Sequence, residues 1–294
     1  LWQKQGREKA VFRAQEVLFQ LGALDSLGPG NRVDGPGRGL RIEHALPAEW
    51  GHPTARVLGH LAPALDRIYQ PLIQTYGLEH SDKMKKRDNA DLFRWIARLA
   101  RQCGAKKYEV YLKGSDDRSF EVLAASPVVL LLPKGVEQID EGVRRFEIAS
   151  LFALERIAAI HLFREYAEDI RTWMNAALRS PGADPEKVQV MQELLPRKAR
   201  SALREMLDFP AEVSEEDMEM LRNAAIRASA RCGLIAAGSL ETALKVLWRR
   251  DKGEDQAPTH GSEAWTQWIA STLPARDLLS FNVGAAMTSD PSGD

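Results

Sequence analysis

Three residues of this sequence have the types and spacing to hold a metal ion: His161, Glu165 and Asp169 fall at i, i+4 and i+8, one stripe of a helix. A solvated face carries the same pattern, and that is the expectation here, lying just beyond the buried part of the helix. His44, His52 and His60 recur every eight residues. Pro47 and Pro53 break any single helix carrying all three, so shared ligation is not expected. Cys103 and Cys232 are the only cysteines. Two distant thiols make neither a disulfide framework nor a cysteine-rich zinc site, so both are expected to be reduced and buried. No Ser/His/Asp or Cys/His signature stands out locally, although a triad can be assembled from distant positions. The run at 83–87 carries Lys83, Lys85, Lys86 and Arg87. A solvated basic loop is the default for it, and a phosphate or nucleic-acid patch the alternative. Trp265 and Trp268 stand at i, i+3, where core packing is expected ahead of a partner anchor.

Composition limits what these residues can serve. Hydrophobic residues make up 44% and charged residues 28% of the 294 positions, the balance of a globular protein. A formal charge of -1 provides no whole-chain field to steer nucleic acid or an anionic membrane. No apolar run approaches the roughly 20 residues that span a bilayer. The opening LWQKQGREKA has neither Met nor a charged-then-apolar start. It is expected to be the interior of a longer, cytoplasmic chain.

The elements that must position any site are mainly helical. Residues 1–24 have helical spacing at Val11, Ala14, Val17, Leu18 and Leu21, and Gly22 is a plausible stop. Residues 25–47 are rich in glycine and proline. Without a preceding strand or a closing Gly-Lys-Ser/Thr they are expected to be a flexible linker, not a phosphate loop. A mainly helical domain follows over 48–287, with a helical lead-in (48–104), a core (105–250) and C-terminal helices (251–287). The tail, 288–294, is expected to be disordered. Within the core, alternation predicts strands at 108–113, 119–124 and 128–132, the first two forming a hairpin across a turn at 114–118. The third is apolar on both faces and belongs in the interior. A long helix over 143–163 should be buried all round, because between Ile148 and Leu154 its only polar side chain is Ser150. Further helices are predicted at about 164–179, 186–194, 197–208, 215–237, 239–250, 262–271 and 275–287. The fold class is α+β, mainly α: a small three-stranded sheet packed on a buried central helix.

The order of strand 128–132, lead-in 135–141 and buried helix resembles the core of M48-type zinc metallopeptidases, over about 108–247. In that family the helix carries Leu-Gly-His-Glu-x-x-His, whose histidines bind zinc and whose glutamate activates water. A later helix supplies the third ligand from Glu-Ala-Asp-Arg-x-Gly. Here the matching segment is Ile148-Ala149-Ser150-Leu151-Phe152-Ala153-Leu154. Ser150 and Leu154 stand at the histidine positions and Leu151 at the glutamate. Downstream, Ala228-Ser229-Ala230-Arg231-Cys232-Gly233-Leu234 matches the third-ligand segment with Ala228 at the glutamate, and the likeness continues through Gly238-Ser239-Leu240-Glu241-Thr242-Ala243. All four functional positions are apolar or small. The resemblance therefore implies a pseudo-peptidase without catalytic residues, metal or cofactor. It is similar to non-catalytic modules at the C-termini of bacterial tetratricopeptide-like proteins.

The expected function is a scaffold or adaptor module that binds protein partners, without nucleic acid and without membrane insertion. A zinc-peptidase-like hydrolase with an unrecognised site is the first alternative. A regulatory or nucleic-acid-binding module using the 83–87 loop is the second.

Overall fold

The computed structural model describes residues 2–25, 27, 42–71, 73–87, 89–105, 107–113, 119–205 and 212–288. The Gly/Pro-rich stretch 28–41, the turn at 114–118 and the tail 289–294 lie outside the described residues. The helices are α1 (Trp2–Gln20), α2 (Pro53–Ile68), α3 (Ala90–Cys103), α4 (Glu141–Arg156), α5 (His161–Arg164) and α6 (Ala167–Leu178). They continue with α7 (Pro185–Leu194), α8 (Arg197–Glu205), α9 (Glu215–Ala237), α10 (Leu240–Lys252), α11 (Glu263–Ser271) and α12 (Leu273–Thr288). Three strands lie between α3 and α4: β1 (Tyr108–Leu112), β2 (Glu121–Leu123) and β3 (Val128–Leu132). The molecule is mainly helical with one small mixed sheet, as the periodicities indicate.

Strand order is β1-β3-β2. β3 runs parallel to β1, with Tyr108 opposite Val128, and antiparallel to β2, with Leu123 opposite Val129. The hairpin expected between the first two strands is therefore formed by β2 and β3 instead. Every residue of β3 is buried. The strand that is apolar on both faces takes the centre, where it has a neighbour on each side and cover above and below. Val128, Leu130 and Leu132 face a core shared with α3 and α4, whereas Val129 and Leu131 pack with Tyr111, Leu123 and Leu78 on the other face.

The helices enclose two further cores. One gathers α2, α6, α7, α8 and one face of α9 from Met218 to Cys232; the other gathers α10, α11 and α12 around Trp248, Trp265 and Trp268. Ring centroids of Trp265 and Trp268 lie 4.9 Å apart, and both residues are buried, so this pair belongs to the core. Trp268 Nε1 donates to Asp251 Oδ2 at 3.0 Å, so its one polar atom is satisfied.

Two helices, α4 and α9, touch all three cores. Phe146 of α4 belongs to the tryptophan core, Ile148, Ala149, Leu151 and Phe152 to the sheet core, and Ala153 to the third. Asp140 caps the start of α4, accepting from Val143 N at 3.1 Å. The expected helix over 143–163 stops earlier, at Arg156. Ala158 turns into the left-handed region (φ 60), and Ala159 N donates back to Leu154 O at 2.8 Å. This is the helix-ending turn that glycine usually makes, here made by alanine at a steric cost of about 1–2 kcal/mol. The apolar sequence continues across it, which is why periodicity alone runs the helix on to 163.

α1 packs against α12 and α10. Asn282 Nδ2 of α12 donates to Arg13 O and Glu16 Oε2, each at 3.3 Å, and Val17 packs against the tryptophan core. Just past α1, Gly22 lies on Gly261 so closely that a Cβ on Gly22 would sit 2.7 Å from Gly261 Cα. Both glycines have positive φ, so at this crossing a side chain is excluded by space and by backbone conformation alike. Burial raises the Glu16 carboxyl above its ordinary range, more than its hydrogen bond to Asn282 lowers it. A carboxyl raised in the folded state stabilises the fold below its unfolded pKa and loses that contribution as pH rises through the folded value. Glu16→Gln is expected to raise Tm at about pH 7 and to flatten the decline in stability above the ordinary carboxylate pKa of about 4.3. Thermal melts of both proteins across that range check this.

Candidate functional site

The place to test for chemistry is where α4 meets α9, because the M48 resemblance puts its metal there. Both helices carry small residues at the contact. Ser150 Oγ donates to Ser229 O at 3.0 Å, a buried bond between residues 79 apart in sequence. Gly233 faces the same point: a Cβ built on it would lie 2.6 Å from Ser150 Oγ and 2.7 Å from Phe146 Cδ2. The backbones approach until nothing larger than a hydrogen fits at 233. Ala228 is fully buried in the same helix. Where a metal site needs room for an ion, a water and a substrate, these side chains leave a filled contact. Among the described residues no group of three His, Cys, Asp or Glu side chains could hold a metal ion.

One charge is buried beside this contact. The Glu147 side chain is 5% exposed and meets Arg249 Nη2 at 2.9 Å and Arg250. The Arg250 guanidinium also lies over the Phe146 ring, 5.3 Å from its centroid. Two cations from α10 thus neutralise one carboxylate of α4. Sequence reading missed this pair, since 102 residues separate Glu147 from Arg249 and no local spacing signals it.

The His161 stripe does not form. The turn at Ala158 rotates α5 away from α4, and His161 becomes buried, its side chain 3% exposed. Nε2 lies 2.9 Å from Asp66 Oδ1 of α2 and, with the carboxylate ionised, donates to it. Glu165 and Asp169 stay near the surface. His161 and Asp66 line a cavity of about 360 Å³ with Glu155, Lys107 and Ser126 at its sides. The pair resembles a base and its orienting carboxylate, but Nδ1 is buried without accessible surface or partner among the described residues. Among the described residues no hydrogen bond joins His161 to Ser126. This pair acts as a tie between α2 and α5.

The remaining candidates are dispersed. His52 caps α2, its Nδ1 accepting from Thr54 N at 3.4 Å; His60 lies within α2, and His44 ends a separate turn, Ile42–His44. Burial pushes the Cys103 thiol up to about 12, with Glu155 adding to it, and pushes Cys232 up as well. Neither thiol is a nucleophile at neutral pH. In the basic loop, Lys83 pairs with Glu109 Oε1 at 2.6 Å, and Lys85, Lys86 and Arg87 are exposed.

Comparison with known proteins returns nothing to set beside this geometry: no family model, no curated protein and no solved structure matches the chain.

A filled α4–α9 contact makes restored ligands costly. Ser150→His with Leu154→His is expected to lose about 3 kcal/mol or more of stability through overpacking and buried polar groups, read by chemical denaturation. Metal analysis of the purified variant is expected to show no bound zinc.

Proposed function

We propose that this chain is a non-catalytic scaffold or adaptor module that works by binding another protein. The observation that carries this reading is the outer face of α1. Val11 and Leu18 of the helix, and Leu21 just past its end, are 56%, 43% and 41% exposed, the most exposed large aliphatic side chains among the described residues. With Ala14 they follow a 3-4-3 spacing, the seam by which one helix receives another. The inner face of the same helix is already used, through Arg13, Glu16 and Val17. A helix tied down on one side with an apolar seam on the other is an interaction surface held on a rigid base. The M48 resemblance points the same way, because its modules without metal ligands stand beside helical repeats. The close contact of Ser150 and Gly233 where that family keeps its metal supports a module without peptidase chemistry.

Substituting Val11→Glu and Leu18→Glu tests the surface without touching the core. In the source cell, a photo-crosslinker placed next to the seam is expected to trap a defined protein partner. The double variant is expected to lose that partner with an unchanged Tm. A purified protein that holds one zinc per chain and cleaves peptides would overturn the reading.

A further inference from the structure

Helices α6, α7 and α8 surround a cavity of about 280 Å³ at the edge of the core they share with α2. Its apolar lining includes Val188, Met191, Leu195 and Leu203. Its polar lining is Gln192 and three arginines, Arg179, Arg200 and Arg204, with no carboxylate among the described residues. Several guanidiniums elsewhere are matched by carboxylates, Arg231 with Asp277, Arg171 with Glu168, Arg249 and Arg250 with Glu147. None of the three around this cavity meets a carboxylate among the described residues. Arg200 is held in place by donating from Nη1 to Gln192 O at 3.1 Å. Arg179 sits in the left-handed region (φ 56), the cap position of α6 where glycine carries no steric cost.

Two requirements follow for anything that fills this space. An anion is the ligand that three guanidiniums on one rim attract, and a carboxylate matches their planar donors. An apolar body suits the lining, and the volume stands at the small end of ligand pockets. We propose that this cavity is a binding site for a small organic carboxylate with an apolar body, its carboxylate held by Arg179, Arg200 and Arg204. This site is separate from the α1 seam, and its occupancy is independent of partner binding there.

Isothermal titration calorimetry of the whole chain tests it with octanoate as probe. Octylammonium serves as the same body with opposite charge, and inorganic phosphate as an anion without a body. Octanoate is expected to bind at one saturable site, weakening as salt is added. Octylammonium is expected not to bind, and phosphate to bind at least about tenfold more weakly. Arg200→Gln and Arg204→Gln change exposed side chains and should leave Tm unchanged while weakening octanoate by about tenfold. Absence of saturable octanoate binding, equal binding of octylammonium or phosphate, or unchanged affinity in both variants would overturn the proposal.

Discussion

The contact between α4 and α9 is the constraint on which the rest of the structure depends. At Ser150, Ser229 and Gly233 the two backbones come close enough that only serine and glycine side chains fit. Close approach lets the flanking larger residues, Phe146 on one side and Phe152 on the other, each reach a different core. A helix pair of this kind transmits packing strain between all three cores, because interiors at crystal density do not absorb an extra methyl group. The charges follow from it as well. Glu147 lies next to the contact, and α10 supplies two arginines so that its burial is tolerable.

The two surfaces we propose for binding lie on helices that this centre holds still. α1 is one, fixed to α12 by Asn282 and to the loop before α11 by the Gly22–Gly261 crossing just past its end. The space among α6, α7 and α8 is another, held open by helices that pack on α2 and α9. Rigid support lowers the entropic cost of binding at both.

Much of this architecture was legible in the chain, and the parts that were not share a cause. Helix ends marked by Pro185, Gly238 or Ser214 are local chemistry, so caps and breaks predict them. The five-residue apolar run of β3 announces a strand buried on both faces. Its partners are another matter: which strands pair is decided by burial across the sheet, and adjacency in sequence wrongly favours a β1–β2 hairpin. The early stop of α4 is hidden because alanine, not glycine, makes the left-handed turn at 158. That turn in turn hides the fate of His161, whose partner Asp66 is 95 residues away. The seam on α1 was visible as helical spacing, but whether it faces inward or outward depends on Asn282 and Val17 contacts that no window of sequence contains. The arginines of the α6–α8 cavity carry no motif at all; only the fold brings 179, 200 and 204 to one rim.

Native-state hydrogen exchange tests the central claim most directly, since it reads the stability of each helix separately. If the α4–α9 contact holds the fold, amides of both helices around Ser150 and Gly233 exchange only through global unfolding, with the highest protection in the chain. Those of α1 and α8 then open at lower free energy. Exchange of α4 or α9 through local opening, ahead of the peripheral helices, would contradict the account.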